Sequence, residues 1–282
     1  MTADRARQHA SGEAWASSDV ASGWQSGTAA RGEALGPATE LLLDLAGVTV
    51  GSRVLDVGAG SGDQTLVTAQ RIGPEGSVLA TDPAASMLEL ATEAARADGF
   101  QNVQTRVMDA QQLDLESDSF DAVIARLSLQ FVPDLSRALA EIRRVLKPGG
   151  RLAGMTWSVT ENNPYRAIPQ AIASRLAGRP FPEPGPGQWG LRDAAGLAEA
   201  FRAAGFREVE VRPVAITWRF PSLEDALKNA QDSQPQLARL LGMLGEADQA
   251  AAWAEVRQAL QPYAGRAGFE APGEALIASG VA

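Results

Sequence analysis

The chain contains no cysteine, so disulfides, thiolate nucleophiles and cysteine-ligated metals are excluded. Histidine occurs once, at His9. A histidine-rich metal centre is excluded with it, and no metal is expected. Lysine is confined to Lys147 and Lys228, the arginines are scattered, and the formal net charge is -9. Nucleic-acid backbones need a dense positive surface, so no nucleic-acid partner is expected. A small-molecule substrate is the better reading, although a protein substrate survives the charge argument. No stretch approaches the roughly 18 apolar residues of a membrane helix. The start, Met1-Thr2-Ala3-Asp4-Arg5, lacks the apolar run of a signal peptide. A cytoplasmic monomer or homodimer without membrane insertion is expected.

What the chain has is a regular alternation. Over 282 residues, 45% hydrophobic and 6% aromatic, there is ample material for a buried core. Strands are predicted at 53–57, 78–81, 103–108, 120–125 and 151–156. Helices are predicted at 62–71, 84–98 and 133–146, the last stopped by Lys147-Pro148-Gly149-Gly150. Strands alternating with helices argue for an α/β, mostly parallel sheet covered on both faces. Residues 1–35, with isolated Trp15 and Trp24, read as an N-terminal helical cap or a flexible leader. Gly36-Pro37 opens a predicted helix over 38–46. Beyond 156, Pro180, Pro182, Pro184 and Pro186 mark a stiff connector beside a helix at 165–176. A helix at 194–204, a strand at 207–212, a helical stretch from 221 to about 263 and an edge strand at 274–279 complete the chain. The domain is thus expected over 36–282, with acceptor-side insertions at about 157–190 and 221–262. Insertions so placed commonly roof the carboxyl edge of a sheet, where ligands bind; a helical bundle packed on the side is the plainer reading.

The most telling run is Val54-Leu55-Asp56-Val57-Gly58-Ala59-Gly60-Ser61-Gly62-Asp63. An apolar strand feeds a glycine turn, and a second strand ends on Asp82. Backbone close to a ligand, with a carboxylate on its ribose, is how such sheets hold a nucleoside-bearing cofactor. A nicotinamide fingerprint would place glycine at 63, where this chain has Asp63. A carboxylate is out of place beside a pyrophosphate at a helix start. It suits a cofactor without phosphate, carrying an ammonium or sulfonium, and S-adenosylmethionine fits. Asp56 would then orient the amino group, directly or through water, and Asp82 would take the ribose hydroxyls. Asp63 also reads as a helix cap.

With Ala80-Thr81-Asp82-Pro83, Met108-Asp109-Ala110, Ser119-Phe120-Asp121-Ala122-Val123-Ile124 and Leu146-Lys147-Pro148-Gly149-Gly150 following in order, the chain resembles the class I S-adenosylmethionine-dependent methyltransferases. The likeness is to their ubiquinone/menaquinone-type small-molecule group, strong over 36–156 and weak beyond. It implies a Rossmann-like sheet of seven strands, order 3-2-1-4-5-7-6, strand 7 antiparallel, with helical lid insertions. It also implies roles. Gly58 and Gly60 would pass under the methionine moiety, and Arg126 and Leu127 would border it. Pro83 and Met87 would flank the adenine, Asp109 would accept from its amino group, and the Ala110 N–H would meet a ring nitrogen. Asp121, early in its strand, reads as structural.

Methyl transfer from a sulfonium needs alignment and exclusion of water more than a base. Acceptor-side candidates are Gln130, Phe131, Trp157, Asn162, Asn163, Tyr165 and Trp189. Tyr165 would donate to an acceptor oxygen, Trp157 would form an aromatic wall, and the Arg126 guanidinium would hold a substrate carboxylate or enolate. His9 serves as a base only if the N-terminal segment folds over the pocket, where Trp24 and Gln25 would also cover the cofactor. An aromatic or quinol-like carbon or oxygen nucleophile is the expected acceptor. A small-molecule amine is the alternative, and a non-catalytic cofactor-binding or interaction protein is the alternative of another class.

Overall fold

A computed structural model describes residues 23–180, 191 and 193–282. Its centre is a sheet laid down by short apolar strands. In β1 (Arg53–Val57) every residue after the first is buried. Parallel to it run β2 (Ser77–Asp82), β3 (Val103–Val107), β4 (Phe120–Arg126) and β5 (Leu146–Trp157), in the order β3-β2-β1-β4-β5. Parallel neighbours need long crossovers. These are α2 (Asp63–Ile72), α3 (Ala85–Ala97) and α4 (Leu135–Val145). Alternation along the strands sends side chains to opposite faces. Val54, Ala122 and Ile124 join one core, while Leu55, Val57, Val123 and Ala125 join the other. Both faces are therefore covered, as the strand composition requires.

The sheet continues through two 14-residue strands, β6 (Arg207–Phe220) and β8 (Gly268–Val281). β8 lies between β5 and β6, antiparallel to both. The path has the predicted order, with one addition: a two-residue strand, β7 (Ala264–Gly265), pairs with β8. The expectation of an edge strand at 274–279 is corrected by this placement. Almost every residue of β8 from Ala275 onward is buried, which is the state of an interior strand.

The first helix also differs from expectation. α1 (Thr28–Leu45) begins well before Gly36-Pro37 and carries Pro37 inside it. Proline removes one helix hydrogen bond, yet Leu35, Ala38, Leu42, Leu43 and Leu45 bury one face in the core shared with β5 and β6. That burial outweighs the break. α5 (Pro164–Leu176) and α6 (Ala194–Ala203) follow β5. Between β6 and β7 come α7 (Leu223–Ser233), α8 (Pro235–Leu241) and α9 (Glu246–Leu260), packed on α5 and on the apolar ends of β6 and β8. Asp121 is structural as expected: it accepts from the Arg53 N–H at 2.8 Å and from Lys147 Nζ at 2.5 Å.

Candidate active site

The β1–α2 turn is built by three glycines with left-handed backbone, φ 70° at Gly58, 57° at Gly60 and 89° at Gly62. Two of them are demanded by packing. A Cβ on Gly58 would lie 2.3 Å from the Ser128 Cβ, and one on Gly62 would lie 2.9 Å from the Ala91 Cβ. Gly60 is different: its open side faces Met87 and Trp24 at 3.6 and 4.0 Å, across a cleft. Ser128 Oγ donates to the Val57 carbonyl at 2.6 Å and ties the end of β4 to the turn.

That cleft encloses about 1130 Å³, including space open at its mouth, and is lined by the turn, the ends of β2 and β4, the 108–111 segment and α1. Asp82 closes β2. Its two oxygens accept from the Gly60 N–H at 3.0 Å and the Ala84 N–H at 2.9 Å. Burial raises its pKa against the pull of these donors. Asp109 lines the same cleft and accepts three bonds from Gln111, at 2.8, 3.0 and 3.0 Å. Pro83, Met87, Met108 and Val132 give it apolar walls, and Ala110 also borders it.

At the other end, Asp63 faces two guanidiniums. Arg31 Nε lies 2.9 Å from Asp63 Oδ2, and Arg126 Nη2 lies 3.4 Å from the same atom. Burial alone would raise the Asp63 pKa, but Arg31 and Arg126 together hold it below the usual carboxylate range. Asp63 is thus neither free for a sulfonium nor the cap of α2, whose N-cap is Gly62. Arg126 also donates to Thr39 Oγ1 at 3.1 Å. Leu127 follows at φ 59°, in the left-handed region a branched side chain rarely adopts, and its N–H donates to the Met155 carbonyl. Strain of this kind clusters at ligand sites.

A second cavity of about 690 Å³ adjoins the first. Trp24, Arg31, Leu35, Leu127 and Phe131 line both. Its remaining walls come from Gln130, Trp157, Tyr165, Arg166 and Gln170, from Trp218 on β6, and from Asn229, Ser233, Gln234 and Gln236 of the helical insertion.

The sequence-derived candidates separate accordingly. Gly58, Gly60, Asp82, Pro83, Met87, Asp109, Ala110, Arg126 and Leu127 line the first cleft. Asp56 does not. It is fully buried, with Gln64 Nε2 at 3.0 Å and Thr65 Oγ1 at 2.6 Å on its carboxylate. It positions the turn from behind, and burial pushes its pKa up to about 6. Gln130, Phe131, Trp157 and Tyr165 line the second cavity. Tyr165, however, cannot serve as the donor expected of it. Its hydroxyl donates to the Ala226 carbonyl at 2.9 Å, beside Asn229 Oδ1 at 3.0 Å, and burial raises its pKa. Asn162 and Asn163 bond to Glu274 and brace β8. Gln25 is exposed. His9, Trp15 and Trp189 lie outside the described residues.

Arg31, Leu35, Trp218 and the polar residues of α7 and α8 carry no motif that signals them. Trp218 alone leaves a trace: Ile216, Trp218 and Phe220 are buried alternately, the period of a strand face.

Comparison with known proteins agrees with this geometry. Residues 55–154 match a methyltransferase domain family. A demethylmenaquinone methyltransferase of Geobacillus stearothermophilus is 34% identical over 176 residues, covering 59% of this chain and 75% of the relative. Nocamycin O-methyltransferase of Saccharothrix syringae is 32% identical over 209 residues, covering 67% and 71%. Among solved structures, the Haemonchus contortus phosphoethanolamine N-methyltransferase 2 in complex with S-adenosyl-L-methionine superposes with a TM-score of 0.54 at 20% identity. That match covers 86% of this chain and 52% of the other. The donor set of the first cleft fits the same cofactor: Asp82 stands at the end of β2 beside an apolar slot of Pro83, Met87 and Met108, and Arg31 and Arg126 share the one carboxylate of Asp63, which leaves a single positive charge for a carboxylate. The chain belongs to the class I S-adenosylmethionine-dependent methyltransferases, in the group that includes the quinone-type enzymes.

Proposed function

We propose that the protein methylates a small-molecule acceptor, an aromatic or quinol-like carbon or oxygen nucleophile. The observation that carries this reading is the shared wall. A cleft with nucleoside-type groups adjoins a cavity lined by Trp24, Phe131, Trp157, Tyr165 and Trp218, and five residues border both. The names of the quinone-type and O-methylating relatives are consistent with a ring acceptor and with oxygen as one of the atoms methylated.

In this reading Asp82 takes the ribose hydroxyls, with its rotamer set by the Gly60 and Ala84 N–H groups. Pro83, Met87 and Met108 flank the adenine, and Asp109 and Ala110 meet its edge. Arg31 and Arg126 share the single carboxylate of Asp63, which leaves one positive charge for the carboxylate of the methionine moiety. When bound, S-adenosylmethionine supplies an electrophilic methyl on a good leaving group. The chain's own work is to align the acceptor and exclude water. Trp24 and the first turn of α1 close the cleft over Gly60, and the aromatic walls of the second cavity orient the ring.

The test is calorimetric titration with S-adenosylhomocysteine, with NADH as the control ligand. Micromolar binding of the first and silence with the second is expected. Binding of NADH alone, or of neither, would overturn the reading. With binding in hand, phenols and quinols are screened for methyl uptake by mass.

A further inference from the structure

Gln111 is buried on the wall of the first cleft, with 3% of its surface exposed. Its Nε2 donates to both oxygens of Asp109, at 3.0 Å each, and its backbone N–H donates to Asp109 Oδ1 at 2.8 Å. Its Oε1 accepts from the Asp134 N–H at 3.0 Å. Asp134 is in turn the N-cap of α4, its side chain accepting from the Arg137 N–H at 3.0 Å. These bonds fix which end of the amide faces Asp109. A backbone N–H only donates, so it takes the amide oxygen, and the NH2 is left turned to the carboxylate. One side chain thus ties Asp109, just after β3, to the start of α4.

A carboxylate on a rotatable bond can present its lone pairs in many directions. An NH2 spanning both oxygens removes that freedom. The acceptor positions left to a ligand are those turned away from Gln111, and Asp109 lines the cleft. Adenine meets such a carboxylate with the hydrogens of its 6-amino group. A 6-oxopurine of the same shape brings a carbonyl oxygen to the same place, and two acceptors then face each other with no hydrogen between them. A site built to hydrogen-bond a group rejects the analogue that lacks it, because its own polar atoms are left unpaired.

We infer that Gln111 is a positioning residue for adenine recognition: its amide holds the Asp109 carboxylate in the orientation that accepts from a 6-amino group and rejects a 6-oxo group. This rests on the methyl-transfer reading above, which sets the adenine edge against Asp109 and Ala110. The residue type matters as well as its size. Glutamate would still offer an oxygen to the Asp134 N–H, but it has no hydrogen to give Asp109 when ionised.

The experiment titrates the full chain by calorimetry at neutral pH with S-adenosylhomocysteine and with S-inosylhomocysteine, its deaminated analogue. Wild type is expected to bind the first at least about tenfold tighter, the size of one charge-assisted hydrogen bond. Gln111→Leu removes both ends of the amide, and Gln111→Glu removes the donor alone. Both should weaken S-adenosylhomocysteine by about tenfold and leave S-inosylhomocysteine within about twofold of wild type, so that the preference collapses. Retained affinity for S-inosylhomocysteine also shows that the variants are folded. A preference lost in Gln111→Leu but kept in Gln111→Glu would make Gln111 a brace for α4 and overturn the inference. So would an equal loss of both ligands, a preference unchanged in both variants, or a wild type that has none. Failure of wild type to bind S-adenosylhomocysteine would strike the methyl-transfer reading itself, a result seen before any variant is compared.

Discussion

Arg31 on α1 and Asp63 at the first position of α2 form an ion pair at 2.9 Å, with 5% and 10% of their side chains exposed. The pair does more than join two helices. Arg31 also donates to the Trp24 carbonyl at 2.5 Å and lies 3.9 Å from the centre of the Trp24 ring. Asp63 therefore fixes Arg31, Arg31 fixes Trp24, and Trp24 covers the glycine turn.

Asp63→Asn removes the one carboxylate shared by two buried guanidiniums. Breaking a buried pair from one side leaves uncompensated charge and costs about 3–5 kcal/mol. Urea denaturation at neutral pH should show a loss of that order. The pH dependence has a definite sign. Because the folded-state pKa of Asp63 is depressed, its contribution is fully present above the ordinary carboxylate pKa of about 4 and is lost as pH falls below it. Wild type and variant should therefore converge in acid. Equal midpoints at neutral pH would show that the pair carries no stability.

Asp82→Ala should weaken S-adenosylhomocysteine binding by about 1–3 kcal/mol, the range for losing hydrogen bonds to a buried polar group. The variant also leaves the Gly60 and Ala84 N–H groups without their acceptor, so part of the loss is disorder of the turn. Asp82→Asn separates the two effects, because its remaining carbonyl oxygen can keep one N–H bond. Affinity unchanged in both variants would remove Asp82 from the ribose site.

The half of the site legible in the sequence is the half made locally. Gly58, Gly60 and Asp82 lie within one β–α–β unit, and their spacing is set by backbone geometry that only a few residue types satisfy. The other half is assembled over long separations. Tyr165 reads as a free hydroxyl in sequence because its acceptor, the Ala226 carbonyl, lies 61 residues away. Arg31 escapes a sequence reading because α1 starts without a side-chain cap, at Gly27, and carries Pro37 within it, so the usual start signals point to the wrong turn. The interior place of β8 depends on resemblance, since local pattern alone suggests an edge. Asp56 and Asp63 stand out in the sequence, but a carboxylate near a turn looks the same there whether it faces the ligand or the protein.

Tyr165→Phe tests that last point for the acceptor side. The hydroxyl is committed to a backbone carbonyl inside a cluster with Trp218, Phe220 and Phe269. Its removal should cost about 1–3 kcal/mol of stability, since the carbonyl loses a partner. The turnover number, measured once an acceptor is in hand, should stay within about twofold, less than the roughly hundredfold minimum attributed to a general acid or base. A fall of that larger size, in a variant shown to be folded, would return Tyr165 to the chemistry.

Asp56 behaves in the opposite sense to Asp63. Burial pushes its pKa up to about 6 despite the bonds from Thr65 and Gln64. The folded state therefore binds more protons than the unfolded state between about pH 4, the ordinary Asp value, and pH 6. Across that window the Asp56 contribution to stability falls as pH rises, and above it the cost of an ionised buried carboxylate is fully felt. Asp56→Asn keeps the shape without the charge. Other carboxylates also titrate in this range, so the informative quantity is the difference between variant and wild type. That difference should move in favour of the variant by about 2–3 kcal/mol from pH 4 to pH 7, since each tenfold change in proton affinity is worth about 1.4 kcal/mol. Denaturant titrations at several pH values measure it directly. A flat difference would mean that Thr65 and Gln64 stabilise the carboxylate as well as water does, and Asp56 would then be an ordinary ionised residue behind the glycine turn.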